Sequence, residues 1–265
     1  MPSRNYPTEL SESQWQLLRP LLPQAKSGPG KPGRPTADLR QVINALLYVN
    51  RGGCQWRLLP KEFGSWQTVY GYFSRWSKAG LWEQILDKLR VQERRRQGRA
   101  DEPSAGCVDS QSVKTATQGD EVGYDGGKQV KGRKRHLMVD TLGIMLGVWV
   151  TAANRGDREG LRHVLSGWRG KGMQRLRKLW VDSGYVGEEL RQWVWGLKKS
   201  YKIDLEVTKK PGQGFQLIKR RWVVERTFGW LFNYRRNAKD YEVLTRHSEA
   251  MLQLSMISIL LRRLA

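Results

Sequence analysis

Residues 106–115 read GCVDSQSVKT, and at this stretch the chain changes from helical patterning to β-strands. Apolar runs bounded by turn residues predict further strands at His136–Asp140, Ile144–Thr151, Leu179–Val181 and Ile203–Val207. The first two of these are joined by the turn TLG and are expected to form a hairpin. Helical segments separate the later strands. This order of elements predicts an α/β fold in which a mixed sheet is flanked by helices.

The segment before residue 100 is predicted to be an all-α, helix-turn-helix-like domain, with helices that begin near residues 11, 37, 65 and 81. In Ser65–Ala79 the apolar residues recur on one face, which we expect to be core. The opposite face carries polar side chains that we expect to contact DNA: Gln67, Thr68, Arg75 and Lys78. A plain helical bundle with a solvated face is the alternative. The run ERRRQGR predicts a boundary between a domain of residues 1–99 and one of residues 100–265.

The composition indicates a folded protein that binds a polyanion. The net charge is +22 and the isoelectric point is near 10.3, yet 39% of the residues are hydrophobic and 12 are Trp. Basic and aromatic residues are interleaved throughout, unlike a disordered basic tail, so nucleic acid is the expected partner. Cys54 and Cys107 form no zinc-binding spacing with the three histidines. No apolar run reaches the length of a membrane helix, so we expect a cytoplasmic, nucleoid-associated protein without a membrane partner.

Three carboxylates lie where a metal site is expected. Asp109 and Asp182 each come at the end of an apolar strand, where open sheets bind ligands, and two neighbouring carboxylates there repel unless a cation separates them. Glu225 lies in the middle of the helical run RWVVERTFGWLFNYRR, residues 221–236. Oxygen ligands without His or Cys predict Mg²⁺ or Mn²⁺, and two such ions can act on a phosphodiester. The alternative for Glu225 is an i,i+4 ion pair with Arg221, worth about 0.2–0.5 kcal/mol.

Basic clusters are candidates for phosphate contact. A basic cluster precedes a predicted strand without an intervening acid, and a solvated charge run explains it equally well; its members are Lys128, Lys131, Arg133, Lys134 and Arg135. Arg34 follows a basic loop and is a candidate for the minor groove. The run around Glu225 supplies a third set of candidates: Arg221, Arg226, Arg235 and Arg236.

Several motifs together resemble a known family. VDSQSVKT, KGRKRHLMVDTLG, NRGDREG, VDSGYVG and RWVVERTFGWL are similar to motifs of the DDE transposases of bacterial insertion sequences, specifically the insertion-sequence-five type. The N-terminal GRP, GCQWRLLP and WQTVYGYFSRW resemble the helical N-terminal domain of the same group. The resemblance covers nearly the whole chain.

The resemblance implies an RNase H-like catalytic domain with a site for two Mg²⁺ or Mn²⁺ ions. By matching motifs, the catalytic and metal-binding triad is expected to be Asp109, Asp182 and Glu225. The implied activity is cleavage of double-stranded DNA at the inverted-repeat ends of an insertion sequence and joining to target DNA, by a homodimer that pairs two ends. An RNase H-like nuclease without strand transfer and a DNA-binding transcriptional regulator with a metal-free α/β domain are the alternatives.

Overall fold

Four helices build the N-terminal part of the protein in the computed structural model, which describes residues 6–23, 37–116, 119–168, 173–197, 202–208 and 221–265. They are α1 (Glu12–Leu18), α2 (Leu39–Gly52), α3 (Trp66–Lys78) and α4 (Leu81–Arg96). Ser11 and Gln14 close a capping box at the start of α1, and Gly53 ends α2 with a left-handed φ of 75°. In α3 the predicted apolar face is buried, which leaves its polar face in solvent.

A six-stranded mixed sheet follows. Its strands are β1 (Ala105–Lys114), β2 (Gly123–Asp125), β3 (Val130–Asp140), β4 (Met145–Ala152), β5 (Lys178–Val181) and β6 (Asp204–Val207). Strand β3 pairs antiparallel with β1 on one edge and with β2 and β4 on the other. Strands β1, β5 and β6 run parallel to one another. The predicted mixed α/β architecture is confirmed, and the sheet gains the short strand β2, which the sequence pattern did not reveal.

Strand β3 begins earlier than the apolar pattern predicts. The predicted strand started at His136, whereas β3 starts at Val130 and includes the basic run before it. Residues 132–140 are all buried. Basic side chains can occupy these positions because acidic side chains and backbone carbonyls from distant parts of the chain receive them. The charge run is therefore part of the sheet, and of its predicted DNA contacts Arg133, Lys134 and Arg135 are buried while Lys131 is exposed.

Helices cover both faces of the sheet. On one face, α5 (Asp157–Trp168) and α6 (Glu188–Gly196) pack on an apolar cluster that includes Val108, Met138 and Leu179. On the other face lie α7 (Trp222–Phe232) and α8 (Thr245–Leu264). No helix in the described ranges has the length and apolar character needed to cross a bilayer.

Helix α8 links the sheet to the N-terminal helices. It packs against β4 on one side and against α2, α3 and α4 on the other, and its apolar residues join the same core cluster as those helices. The side chains of Met251, Leu254, Ile257 and Leu261, which recur at helical spacing along α8, are therefore core and do not form a free surface for dimerisation. The boundary after residue 99 stays a prediction, with the addition that the second segment contributes one helix to the core of the first.

A buried ion pair fixes α4 to the turn between β3 and β4. The guanidinium of Arg94 bonds the carboxylate of Asp140, and both side chains are almost fully buried. The second carboxylate oxygen of Asp140 accepts hydrogen bonds from the backbone N–H groups of Leu142 and Ile144, each at 2.9 Å. From the other side, the Thr227 hydroxyl of α7 donates to the carbonyl of Gly143 at 2.9 Å. The turn thus holds both the last N-terminal helix and the helix that carries Glu225.

Candidate active site

Two of the three predicted acids come together where the parallel pairing of β1 and β5 stops. The prediction that Asp109 ends its strand is wrong, because β1 continues past it to Lys114. The register between β1 and β5 pairs Cys107 with Trp180, so continuing it by two residues places Asp109 level with Asp182. Asp182 directly follows β5, and its Oδ1 accepts a hydrogen bond from the N–H of Gly184 at 2.9 Å. The side chain of Asp109 accepts one from the N–H of Ser110 at 2.8 Å. The strands and the turn after β5 therefore hold both carboxylates in fixed orientations.

Glu225 lies on α7, which packs across β1 and β3 on the face covered by α7 and α8. Its side chain is 46% exposed, and Arg221 Nη2 donates to it at 3.1 Å. In the described part of the chain, no three His, Cys, Asp or Glu side chains have the spacing of a metal site. The structure thus places Asp109 near Asp182. Glu225 lies on the neighbouring helix and is paired with Arg221.

The electrostatics of the aspartate pair favour a bound cation. Burial raises the pKa of Asp109 from 3.8 to about 6; the Ser110 N–H lowers it, the charge of Asp182 raises it, and Arg221 and Lys128 lower it. The two nearby cations therefore do not fully compensate for burial and for the second carboxylate. A divalent cation bound by carboxylate oxygens would supply the missing charge, so the residues present fit Mg²⁺ or Mn²⁺.

This raised pKa has a consequence for stability without metal. In the folded state Asp109 binds its proton up to about pH 6, whereas its unfolded value is 3.8, so its ionisation destabilises the fold as pH rises through that window. We expect Asp109→Asn in the presence of a chelator to raise the melting temperature at pH 8 by about 2–4 °C for each kcal/mol of penalty removed. At pH 4.5, between the two pKa values, the gain should be clearly smaller, because the penalty reaches its full size only above the folded-state pKa of about 6. Differential scanning calorimetry at both pH values measures this, and an equal gain at both would contradict it.

Comparison with known proteins identifies the family. Residues 100–261 match the family model "Transposase DDE domain", and residues 10–86 match "Putative transposase of IS4/5 family". The first match covers more than half of the chain. The chain belongs to the DDE transposase family. The resemblance to insertion-sequence transposases is thereby confirmed at the level of the IS4/5 family, and the sheet with its flanking helices is an RNase H-like fold.

Three curated relatives are similar to parts of the chain, and one of them is named as a putative transposase. The transposase is 32% identical over 121 residues to "Insertion element IS402 uncharacterized 16.2 kDa protein" of Burkholderia cepacia, over 43% of this chain and 78% of that protein. It is 34% identical over 112 residues to "Putative transposase for insertion sequence element IS402" of the same organism, over 40% of this chain and 51% of the relative. A third relative, "Uncharacterized protein y4sN" of Sinorhizobium fredii, is 32% identical over 80 residues, which are 30% of this chain and 62% of that protein.

Two further residues lie at the aspartate pair of this transposase, and neither was predicted to be part of the metal site. Asp157 is the first residue of α5, and its Oδ1 accepts a hydrogen bond from the Ser110 hydroxyl at 2.6 Å. Lys128, in the β2–β3 turn, donates from Nζ to the carbonyl of Ser110 at 3.2 Å and acts on the charge of Asp109. The sequence offers a signal for each, because Asp157 occurs in the motif NRGDREG and Lys128 belongs to the basic cluster before the predicted strand.

Three arginines predicted to contact DNA are buried, and that prediction is wrong for them in this structure. Arg133 Nη1 donates to Asp240 Oδ1 at 3.1 Å, and Arg135 Nη1 donates to the carbonyl of Asn237 at 2.7 Å. Arg236 Nε donates to Glu242 Oε1 at 2.7 Å. Their guanidinium groups already have protein acceptors inside the core, so they are not available to phosphate. Arg133 and Arg135 hold the segment after α7 against the sheet, and Arg236 bonds the carbonyl of Cys54 beside α2.

Lys134 is a fourth correction. It is buried, and its Nζ donates to the carbonyl of Arg155 at 2.8 Å. Its ammonium also lies 3.5 Å from Asp157 Oδ1 and 3.6 Å from Asp125 Oδ2. The ammonium group of Lys134 therefore offsets the charge of these two carboxylates next to strand β1 and is not available to bind DNA.

The other predicted DNA contacts remain predictions. Gln67, Thr68, Arg75 and Lys78 are exposed on α3, and Lys131 and Arg235 are exposed elsewhere. Arg226 is partly buried between the rings of Trp222 and Trp230, at 4.8 and 4.6 Å from their centroids. Arg221 is held by Glu225. Arg34 lies outside the described residues.

Proposed function

We propose that this transposase, of the insertion-sequence-five type, binds the inverted-repeat ends of an insertion sequence and catalyses metal-dependent DNA cleavage and strand transfer. Asp109, Asp182 and Glu225 are the proposed catalytic residues and the ligands of two Mg²⁺ or Mn²⁺ ions. The observation that carries the proposal is the level placement of Asp109 and Asp182 on parallel strands beside the helix with Glu225. The family match and the net charge of +22 support DNA as the substrate.

Around the aspartate pair, we propose that the carboxylates bind the cations and that the basic side chains bind phosphate. Bound ions would supply Lewis-acid activation of the attacking oxygen and stabilisation of the leaving oxygen of the phosphodiester. Arg221 and Lys128 lie close enough to Asp109 to act on its charge, so they are placed to bind the oxygens of a phosphate brought to the pair. When Arg221 turns to phosphate, Glu225 is released toward the site. The Arg221–Glu225 ion pair thus represents the arrangement of these side chains before phosphate is bound.

The nearby hydroxyl groups are poor candidates for a covalent nucleophile. Tyr185 is fully buried, and burial raises its pKa well above 10. The Ser110 hydroxyl is donated to Asp157. A water molecule and then a DNA 3′-hydroxyl are therefore the proposed nucleophiles, and no covalent protein–DNA intermediate is required.

The N-terminal helices are proposed to bind the element ends. The exposed polar face of α3, with Gln67, Thr68, Arg75 and Lys78, fits the role of a recognition helix in a DNA groove. Two ends must be brought together for strand transfer, so we propose a homodimer. Because the apolar residues of α8 are buried within the chain, a dimer interface has to use another surface.

An assay with two substrates tests this function. Purified protein and Mg²⁺ are incubated with DNA that carries the flanking inverted repeat, and separately with a pre-cut end and a supercoiled plasmid. We expect cleavage of the first substrate at the repeat and joining of the second to the plasmid, while a scrambled repeat serves as control. Cleavage without joining would support a simple nuclease, and sequence-specific binding without cleavage would support a regulator.

A further inference from the structure

A network of buried charges lies behind strand β1, on the opposite face from Asp109. The hydroxyl of Ser110 donates to Asp157 Oδ1 at 2.6 Å, and two residues later the hydroxyl of Ser112 donates to Asp125 Oδ2 at 2.5 Å. Lys134, which is paired with Ser112 across the sheet, places its ammonium between the two carboxylates. Lys134 of β3 thus links an aspartate of α5 to an aspartate of β2. Each of these aspartates is also bonded by a serine of β1.

The network is largely shielded from water. The side chain of Lys134 is 9% exposed, that of Asp125 11% and that of Asp157 26%. Buried charges of this kind are kept in place because each would be costly without its partners. Two carboxylates share one ammonium here, so these contacts hold their geometry more tightly than an exposed ion pair would.

Asp157 reaches both members of the aspartate pair. Through its Oδ1 it holds Ser110, whose backbone N–H donates to the carboxylate of Asp109. Its Oδ2 lies at the turn after β5, where a Cβ on Gly184 would be 3.1 Å from that oxygen and 3.1 Å from Asp182 Oδ1. The N–H of Gly184 is the hydrogen-bond donor to Asp182. One side chain therefore contacts the segment that orients each aspartate.

We propose that Asp157, paired with Lys134, is a positioning residue that sets the relative placement of Asp109 and Asp182 for divalent-cation binding. This inference rests on the proposed function, because it assigns Asp157 a role at the proposed metal site. Groups that orient metal ligands in this way typically change metal affinity by about 10- to 100-fold when they are lost. Asp157 itself stays on the far side of β1 and does not contact the substrate.

Titration of the full-length protein with Mn²⁺ alone tests the proposal, with calorimetry as the readout and no DNA present. Asp157→Asn keeps an oxygen that can accept from Ser110 but loses the pairing with Lys134, and we expect about 10-fold weaker Mn²⁺ binding. Ser110→Ala keeps every charge and cuts the link to Asp157, so it should also weaken binding. Glu159→Gln is the matched control, since it removes one negative charge two residues away on the same helix, and it should bind as the wild type does.

Two further measurements separate the possible results. Cleavage by Asp157→Asn should recover at higher Mn²⁺ concentration, which a general folding defect would not allow. If Asp182→Asn abolishes Mn²⁺ binding while Asp157→Asn and Ser110→Ala both bind at wild-type affinity, the positioning role is overturned and the metal site stands. If Asp182→Asn binds Mn²⁺ as tightly as the wild type, the proposed metal site itself is wrong, and the positioning role is overturned with it.

Discussion

Asp182→Asn is expected to reduce Mg²⁺-dependent cleavage of end-bearing DNA by about 1,000-fold or more while DNA binding is retained. The amide keeps an oxygen that can accept from the Gly184 N–H, so the turn after β5 should persist. It removes the negative charge that, together with Asp109, attracts the cation. Metal-ion stabilisation of the transition state is worth several kcal/mol, and each 1.36 kcal/mol corresponds to about a factor of ten in rate.

The measurement compares cleavage rates under single-turnover conditions with gel-shift affinities for the same DNA. Asp204→Asn is the matched control because it makes the same chemical change at the start of the neighbouring strand β6, where the carboxylate is exposed and pairs with Lys178 at 3.0 Å. It should cleave at close to the wild-type rate. Wild-type cleavage by Asp182→Asn would remove this residue from the catalytic set.

Arg94→Met is expected to have the largest effect on stability, about 3–5 kcal/mol, because it leaves the carboxylate of Asp140 buried without a counter-charge. The side chains of Arg94 and Asp140 are 4% and 0% exposed. Asp140, at the start of the β3–β4 turn, also accepts hydrogen bonds from the N–H groups of Leu142 and Ile144, so it has little freedom to move into water. Arg94 Nε further donates to the carbonyl of Ala100 at 2.8 Å, and this bond is lost as well.

Urea unfolding of the two variants measures the difference. Arg95→Met is the matched control, since Arg95 is the next residue on α4 but is 67% exposed and pairs with the partly exposed Asp101. Its substitution should cost less than about 1 kcal/mol. Equal losses for Arg94→Met and Arg95→Met would mean that the Arg94 to Asp140 pair contributes nothing beyond a surface contact.

The aspartate pair could be predicted because its signal is local. An apolar run that stops at an acid is visible in a few residues, and neighbouring parallel strands place two such acids side by side, even though β1 itself continues past Asp109 to Lys114. Val108 before Asp109 and the run before Asp182 supplied that signal. The position of Glu225 relative to them was less accessible, because it depends on how α7 packs on the sheet and on the competing pair with Arg221.

The buried basic residues could not be predicted for the opposite reason. Arg133 pairs with Asp120 at 2.8 Å and with the fully buried Asp240 at 3.1 Å, which lies 107 residues later in the chain, so no local pattern marks it as a core residue. In sequence it belongs to a run of exposed-looking cations. A charge run is read as a surface unless its partners are known, and partners at such separations become visible only in the folded chain.

The position of α8 has a consequence for how the protein is made. Asn50 of α2 donates to the carbonyl of Met251 at 3.0 Å, across 201 residues of sequence. The first four helices therefore lack part of their core until α8 has been synthesised, and non-local contacts of this kind form late. At about 5–20 residues per second, the nascent chain exposes an apolar surface on those helices for roughly ten seconds or longer, during which a chaperone can bind it.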